Sequence, residues 1–278
     1  MTLTRSQVRA QLASLGVSPS RALGQNFVVD PNVVRRIARL AGVGPGDHVV
    51  EIGAGLGSLT LALCETGANV LAVEVDRHLF GCLRENVEPA GASVVLADAR
   101  QTDWHSLLAG AQEWTLVANL PYNIATPLVL DLLDGVPKIQ RMLVMVQREA
   151  GERLVAGPGE PAYGIPSAKV AYWADGEIVG RVGPAVFHPQ PKVESVLVSI
   201  KRRPRPAVSA DPEIVFALVR QAFGQRRKML RRSLANLVTA EQFAATGIDP
   251  SRRPEHLGIE EWGRLAQAVA LGGTEGRG

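Results

Sequence analysis

Short apolar runs alternate with amphipathic segments along the first two thirds of the chain. The apolar runs predict β-strands at residues 48–53, 69–76, 93–98, 114–120 and 141–147. Helix-like segments follow four of these runs, at residues 58–67, 77–86, 126–133 and 148–157. Strands that alternate with helices are typical of a parallel sheet covered by helices on both faces. The pattern therefore predicts an α/β fold.

The pattern changes in the last third of the chain. Residues 177–183 and 195–203 are strand-like with no long helix between them, so we expect antiparallel strands at the edge of the sheet. Three prolines and four basic residues at 201–212 indicate a linker. Helical patterns follow at residues 212–223, 226–238 and 259–271. We therefore expect residues 1–203 to form the α/β domain and residues 204–278 a small all-α domain.

Composition narrows the class of protein. The chain has 278 residues, of which 46% are hydrophobic, and a net charge of +3, so it is long enough for two domains with buried cores. No run approaches the roughly 18 apolar residues of a membrane span, and the N-terminus lacks the pattern of a signal peptide. We expect a cytosolic protein. Cys64 and Cys82 are isolated and the histidines are scattered, so we expect free thiols and no metal site.

A glycine-rich turn follows the first predicted strand, in "EIGAGLGSLT" at residues 51–60. Glycine lets the backbone turn sharply and approach a ligand, and the next helix presents free N–H groups at its N-terminus. The pattern is acid-x-G-x-G-x-G starting at Glu51. The dinucleotide pattern G-x-G-x-x-G fails at Ser58, which disfavours a nicotinamide dehydrogenase. By itself the turn is equally consistent with a purely structural role.

Polar residues at the ends of the next strands favour a ligand. Glu74 ends the second strand, 21 positions after Gly53, where an acid binds a ribose diol in nucleotide-binding α/β folds. Asp98 ends the third strand and can accept from an adenine amine, and Asn119 ends the fourth. Strand ends are often polar for solvation alone. The run of Gly53, Glu74, Asp98 and Asn119 at four successive strand ends predicts a cofactor that contains a nucleoside.

The fourth strand ends in "ANLPYNIATP", a stretch without charge. The Asn119 amide can accept a hydrogen bond, and Pro121 holds the carbonyl of Leu120 in place. The Tyr122 ring offers a face on which a base can stack. Together these groups predict a slot for a planar molecule with an exocyclic amine. An isolated N-x-P-Y would more simply be a structural turn.

The set of motifs resembles one family, the ribosomal RNA adenine dimethyltransferases. The resemblance runs from about Leu23 to Leu237. Its motifs occur in the family's order: "LGQNFVVD" (23–30), "EIGAGLGSLT" (51–60), "VEVDR" (73–77), "ADA" (97–99), "NLPYNIATP" (119–127), "QREAGERLVAGPG" (147–159), "FHPQPKVESVLV" (187–198) and "QAFGQRRKMLRRSL" (221–234). It implies a Rossmann-like class I methyltransferase sheet and a helical C-terminal RNA-contacting domain. Departures from the family pattern are Val28, Ala54 and Pro166.

The resemblance also implies a cofactor, S-adenosylmethionine, and the residues that bind it. These are Gln25, Asn26, the backbone at Val28, Gly53, Gly55, Glu74, Asp98 and Asn119. Tyr122 and Phe187 are expected to sandwich the target adenine. We expect the Asn119 side chain and the Leu120 carbonyl to accept hydrogen bonds from its N6 amine, so that positioning supplies most of the catalysis. The absence of a charged residue in "NLPYN" fits this hypothesis.

Basic residues near the linker and in the C-terminal segment are the predicted RNA contacts. They are Lys201, Arg202, Arg203, Arg226, Arg227, Lys228, Arg231 and Arg232. At helical spacing, Lys228, Arg231 and Arg232 would share one face. A solvated helix face is the simpler interpretation of a charge run. Because the net charge is only +3, this concentration of positive charge favours phosphate contact.

The expected partner is small-subunit ribosomal RNA in an immature small subunit, bound by a monomer. A relative that methylates large-subunit RNA and confers antibiotic resistance would share the fold and cofactor site. Those relatives commonly have isoleucine where this chain has Leu120. A non-catalytic assembly factor is a second alternative, which the intact Asn119, Tyr122, Glu74 and Asp98 disfavour.

Overall fold

The computed structural model describes residues 2–20 and 23–275. Its α-helices are α1 (Arg5–Ser14), α2 (Pro31–Ala41), α3 (Ser58–Cys64), α4 (Arg77–Val87), α5 (Trp104–Leu107), α6 (Ala125–Gly135), α7 (Arg148–Val155), α8 (Ile165–Trp173), α9 (Pro212–Phe223), α10 (Leu230–Ser233), α11 (Ala240–Thr246) and α12 (Ile259–Glu275). Its β-strands are β1 (Phe27–Val28), β2 (His48–Ile52), β3 (Asn69–Glu74), β4 (Ser93–Leu96), β5 (Trp114–Asn119), β6 (Ile139–Gln147), β7 (Ala174–Val182), β8 (Phe187–His188) and β9 (Ser195–Arg202).

The main sheet has the strand order β4-β3-β2-β5-β6-β9-β7. The strands from β2 to β6 pair in parallel, and β9 pairs antiparallel with β6. The predicted α/β fold is confirmed. The chain order reverses between β2 and β5, and α/β proteins bind ligands outside the carboxyl ends of the strands at such a point. Gly53 follows β2 and Asn119 ends β5, so both lie at this position.

The central strands are buried along almost their whole length. In β5, Trp114 to Ala118 are buried and only Asn119 is partly exposed. In β3, the buried run from Val70 ends on a carboxylate, Glu74. Helices cover both faces of a parallel sheet, so its strands are continuous apolar runs. A buried carboxylate at the end of such a run needs hydrogen-bond donors, because burial of an unpaired charge is costly.

Two aspartates begin the helices that follow β1 and β3. The Asp30 carboxylate accepts from the Asn32 N–H at 2.8 Å, and Pro31 occupies the first position of α2. The Asp76 carboxylate accepts from the His78 N–H at 3.0 Å at the start of α4. Both side chains satisfy N–H groups that the first helical turn leaves unpaired.

A short antiparallel ladder joins distant parts of the chain. Phe27 lies opposite His188, and Val28 lies opposite Phe187. The ladder continues through the hydrogen bond from the Val29 N–H to the Val186 carbonyl, at 2.8 Å. It holds residues 23–30, here called the N-terminal segment, next to the loop that follows β7. The sequence pattern did not predict this pairing.

The chain packs as two compact units. One contains the residues up to Gly151 together with Glu177–Arg202, and the other contains Glu152–Gly176 together with the residues from Arg203 onwards. Each has its own hydrophobic core. The core of the first unit includes Val28, Val117 and Phe187, and the core of the second includes Trp262. The second unit therefore takes in α8 as well as the helices after the predicted linker.

One predicted helix, at residues 226–238, is wrong in its extent. Only Leu230–Ser233 is α-helical, and the residues on either side form turns. The expectation that Lys228 shares a helix face with Arg231 and Arg232 is therefore also wrong. From Arg203 to Glu275 the described chain contains helices and turns and no strand. Within the described ranges, none of the helices is long and apolar enough to cross a membrane.

Candidate active site

A cavity of about 80 Å³ lies at the carboxyl ends of β2 and β5. Its lining brings together ten of the predicted site residues. They are Gln25, Asn26, Val28, Gly53, Gly55, Glu74, Asn119, Leu120, Pro121 and Tyr122. These residues come from four separate stretches of the sequence, all within the first compact unit. The fold therefore assembles most of the predicted site.

The glycine-rich turn forms one wall of the cavity. Gly55 has a φ of 60°, a conformation that other residues rarely adopt. A Cβ atom at this position would lie 3.0 Å from the Phe27 ring, so the N-terminal segment packs directly on the turn. The Gly55 N–H donates to the Glu74 Oε2 atom at 2.7 Å. The turn therefore presents bare backbone to the cavity and is fixed by the acid at the end of β3.

Glu74 accepts three backbone N–H groups. In addition to Gly55, the N–H groups of Val75 and Asp76 each donate to its Oε1 atom at 2.9 Å. Burial raises the pKa of Glu74, whereas the three N–H groups oppose this shift because they stabilise the carboxylate. The Oε2 atom retains acceptor capacity and the side chain lines the cavity. It is therefore placed to accept from a hydroxyl group.

Glu51 is a second buried acid in the lining, which the sequence-based site did not include. Its side chain is 2% exposed and accepts from the Thr60 hydroxyl at 2.6 Å. Burial, reinforced by the nearby charge of Glu74, raises the pKa of Glu51 to about 8. At neutral pH this side chain is therefore a neutral acid that can donate a hydrogen bond. Its position as the first acid of acid-x-G-x-G-x-G was the signal available in the sequence.

Asn119 is oriented by the N-terminal segment. Its Nδ2 atom donates to the main-chain carbonyl of Asn26 at 2.8 Å, which leaves the Oδ1 atom as the free end of the amide. The next residue, Leu120, is buried and its N–H donates to the Met145 carbonyl at 3.1 Å. The acceptor groups of Asn119 and Leu120 are therefore both fixed by neighbouring backbone.

Gln25 anchors the same N-terminal segment at its other end. Its Nε2 atom donates to the Asp76 carboxylate at 2.8 Å, and its Oε1 atom accepts from the Ser20 N–H at 2.8 Å. The Asn26 side chain donates to the Gly24 carbonyl at 3.2 Å. Both polar atoms of the Gln25 side-chain amide therefore have hydrogen-bond partners within the protein. The segment crosses the cavity between the anchor at Asp76 and the contact with Asn119.

Tyr122 lies at the edge of the cavity and is partly buried. Its hydroxyl group forms a hydrogen bond of 2.8 Å with the Ser195 hydroxyl, at the start of β9. Burial raises the pKa of Tyr122, so the phenol is neutral at physiological pH. Pro121 begins a tight turn, in which the Ile124 N–H donates to the Pro121 carbonyl at 3.1 Å. The ring is therefore held at both its backbone and its hydroxyl end.

Two predicted site residues lie outside this lining. Asp98 lines a separate, shallower depression with Gln101 and Thr102. The Arg100 guanidinium lies 3.0 Å from its carboxylate and holds the pKa of Asp98 below the usual value. Phe187 is 1% exposed and belongs to the hydrophobic core. In this arrangement its ring has no free face, so stacking on a base would require it to move.

The predicted RNA contacts fall into two groups. Lys201, Arg227, Lys228, Arg231 and Arg232 are exposed. The Arg202 guanidinium is half-buried and donates to the carbonyls of Leu132, Leu133, Val136 and Ile139, at and just beyond the end of α6. Arg203 pairs with Asp175, and Arg226 pairs with Glu255 at 3.0 Å. These last three arginines have structural partners within their own units.

The polarity of the cavity lining suits S-adenosylmethionine. Bare glycine backbone suits close approach of a ligand, Glu74 suits a ribose diol, and Glu51 can donate to a polar group at the base of the cavity. With the parallel sheet, these features define an S-adenosylmethionine-dependent methyltransferase. The family model of the ribosomal RNA adenine dimethylases matches residues 18–271. The chain belongs to that family.

Curated relatives align over nearly the whole chain. A protein of Thermobifida fusca (strain YX), named ribosomal RNA small subunit methyltransferase A, is 49% identical over 277 residues, which cover 95% of each chain. A protein of the same name from Kineococcus radiotolerans is 47% identical and covers 99% of this chain and 94% of its own. The alignment thus spans both compact units.

Solved structures share the fold. A dimethyladenosine transferase from Plasmodium falciparum superposes with a TM-score of 0.74 at 21% identity, covering 89% of this chain and 98% of its own. The 23S rRNA methyltransferase ErmE superposes with a TM-score of 0.67 at 23% identity, covering 88% and 99%. At this level of identity the two structures establish the architecture alone.

Proposed function

We propose that this protein dimethylates N6 of two adjacent adenosines in small-subunit ribosomal RNA, with S-adenosylmethionine as methyl donor. The observation that carries the proposal is the orientation of Asn119, whose free amide oxygen lies in the same cavity as the glycine-rich turn and Glu74. The names of the curated relatives support the small subunit as the substrate. An uncharged acceptor beside a nucleoside-binding turn suits transfer to an amine.

The proposed chemistry needs no strong base. Bound S-adenosylmethionine supplies a methyl group on a sulfonium, which is a good leaving group. Adenine N6 is a poor nucleophile because its lone pair is delocalised into the ring. The Asn119 oxygen and the Leu120 carbonyl accept the N6 hydrogens and favour a pyramidal nitrogen, which frees the lone pair. Both acceptors are held by backbone hydrogen bonds, so their positions are set before the substrate binds.

Tyr122 is the proposed stacking residue for the target base. Its hydrogen bond to Ser195 fixes the ring at the cavity edge, and an aromatic face is suited to an unstacked base. Phe187 serves as the second ring only if the loop after β7 shifts, because the side chain is buried in the core. The first methylation leaves one N6 hydrogen, so a single acceptor must suffice during the second methylation.

The remaining cofactor contacts belong to the same proposal. Glu74 holds the ribose hydroxyls, and the backbone of Gly53 and Gly55 approaches the methionine portion. Asp98 accepts from the adenine amine, for which Arg100 has to yield at least one carboxylate oxygen. Gln25 acts through the segment that it anchors, since both of its polar atoms already have protein partners.

The C-terminal part, residues 204–278, is the proposed RNA-contacting domain. Its exposed cations Arg227, Lys228, Arg231 and Arg232 are free to meet phosphates. Arg202, Arg203 and Arg226 are poorer candidates because each is bound to carbonyl or carboxylate groups of the protein. We further propose a cytoplasmic monomer that acts on an immature small subunit.

The test is transfer of labelled methyl groups to undermethylated ribosomal subunits. Label in dimethyladenosine of the small subunit alone supports the proposal. Label in the large subunit instead would favour the resistance-type methyltransferase. Binding to the small subunit without any transfer would identify a non-catalytic assembly factor.

A further inference from the structure

Two arginines of α1 and His188 of β8 form a cluster of basic side chains in the first unit. Arg5 and Arg9 are one helical turn apart in α1, so they share a face of that helix. The Arg5 guanidinium donates to the Ala185 carbonyl, just before β8. Burial, together with the charges of Arg9 and Arg5, lowers the pKa of His188. The three side chains are therefore within electrostatic reach of one another.

The ladder between β1 and β8 places this cluster next to the active site. His188 lies directly opposite Phe27, and paired residues of an antiparallel ladder project to the same face. Phe27 lines the cavity. The other pair, Val28 and Phe187, is buried in the core. Val28 also lines the cavity, so the ladder borders the cavity, and His188 lies opposite one of the lining residues.

The cluster has no counter-charge from its own segment. The first acidic residue in the sequence is Asp30, and its carboxylate accepts from the N–H at the start of α2. The charged groups that shift the pKa of His188 are both cations. Arg5 and Arg9 are exposed, so solvent can screen them. Positive charges that are concentrated beside a cleft nevertheless attract a polyanion to that cleft.

We infer that Arg5, Arg9 and His188 bind a backbone phosphate of the ribosomal RNA, next to the target adenosine. This inference rests on the proposed function and adds a contact outside the C-terminal basic segment. The arginines supply charge, and the imidazole supplies a hydrogen bond at the edge of the cavity. The position is suited to hold the strand from which the target base is unstacked, because phosphate contacts fix register without reading sequence.

The test compares Arg9→Gln with a matched control, Arg39→Gln. Both positions are exposed on helices of the first unit, and each change removes one positive charge. Arg9→Gln is expected to raise the KM for undermethylated small subunits about fivefold and to reduce the slope of log affinity against log salt by about 0.7. The kcat and the affinity for S-adenosylmethionine are expected to stay the same. Arg9→Lys restores the wild-type KM, and Arg39→Gln leaves it unchanged.

A second measurement separates this inference from the proposed function. Binding of a labelled single-stranded ribosomal RNA fragment is followed across salt concentrations without turnover. If Arg9→Gln and the double variant Arg5→Gln/Arg9→Gln bind with the wild-type affinity and salt slope, the inference is overturned while methyl transfer stands. If the wild-type protein transfers no methyl group to small subunits, the proposed function fails, and the binding data still decide whether the cluster contacts RNA.

Discussion

The side-chain amide of Asn119 donates a hydrogen bond of 2.8 Å to the main-chain carbonyl of Asn26, 93 positions earlier in the sequence. This contact distinguishes the nitrogen atom of the side-chain amide from its oxygen atom. The nitrogen faces the N-terminal segment, and the oxygen is left for the substrate. The orientation of the proposed catalytic acceptor therefore depends on a segment outside the sheet.

Replacement of Asn119 by alanine is expected to lower kcat by about 100-fold, the scale measured when one positioned polar group is removed from an active site. Single-turnover methyl transfer measures this change. Asn119→Asp keeps an oxygen but loses the donor to Asn26, so it is expected to be nearly as slow. Calorimetry of S-adenosylmethionine binding to each variant separates a loss of turnover from a loss of cofactor binding. Near-normal turnover with intact cofactor binding would exclude the role of Asn119.

Loss of the Gln25 anchor is expected to weaken both cofactor binding and turnover. Gln25→Ala removes the hydrogen bonds to Asp76 and Ser20, so the segment that carries Asn26 gains freedom. We expect about a tenfold weaker affinity for S-adenosylmethionine, corresponding to loss of one or two hydrogen bonds of about 1 kcal/mol each. Gln140→Ala is the matched control, because the Gln140 side chain, at the start of β6, donates to the Pro137 carbonyl three positions earlier in the sequence. Equal affinities for the two variants would show that Gln25 does not position the segment.

Tyr122→Phe and Tyr122→Ala separate the hydroxyl group from the ring. Phenylalanine keeps the stacking face and leaves the buried Ser195 hydroxyl without its partner, so we expect a loss of about 1–2 kcal/mol in unfolding free energy and little change in kcat. Adding Ser195→Ala should recover part of that stability. Alanine at 122 removes the ring and is expected to lower kcat/KM for the subunit by at least about tenfold. Equal activity of all three variants would argue against stacking.

Glu51 is expected to make stability fall as the pH rises. Its pKa is about 8 in the folded protein against an ordinary value of 4.5. Between these values the folded state retains a proton that the unfolded state has lost, so the free energy of unfolding decreases with pH. Glu51→Gln mimics the neutral acid, so its free energy of unfolding should decrease less between about pH 5 and about pH 8, a range close to the two pKa values. Urea denaturation at several pH values measures this decrease. The same pH dependence in both proteins would contradict the raised pKa of Glu51.

Gly57→Ala is expected to be far more disruptive than Gly46→Ala. Both glycines have a positive φ, 89° and 91°, so backbone strain is nearly equal. A Cβ at Gly57 would lie 2.3 Å from the Val87 Cγ1 atom, whereas in the described structure no heavy atom lies within 4 Å of a Cβ at Gly46. We expect a loss of about 1 kcal/mol at Gly46 and about 2 kcal/mol more at Gly57. Urea denaturation of the two variants isolates the packing contribution.

The central strands were predictable from local features, and so were the polar and glycine residues at their carboxyl ends, whereas Gln25, Asn26 and Val28 were expected only from the family resemblance. Buried parallel strands read as continuous apolar runs, and Gly53, Glu74 and Asn119 each follow or end such a run. The buried state of Phe187 was not predictable. It depends on pairing between β1 and β8, a contact between distant segments that no local pattern encodes.

The missed elements had weaker or competing signals. Asp30-Pro31 and Gly42 mark the start and end of α2 and would have predicted that helix. In the basic segment, charge periodicity suggested a long helix, but α10 spans only Leu230–Ser233. Charge alone also cannot distinguish an arginine that meets a phosphate from one, like Arg202, that satisfies the carbonyls at the end of α6.

The pairing of β1 with β8 also constrains when the enzyme becomes competent during synthesis. Arg5 and Ala185 are 180 positions apart, and the cavity-lining Phe27 is paired with His188. Contacts between such distant segments form only after the intervening chain has been made and ordered. A nascent chain that ends before β8 lacks the strand that holds its N-terminal segment over the glycine turn. The wall of the cavity that β1 contributes is therefore expected to become ordered only once the growing chain extends past His188.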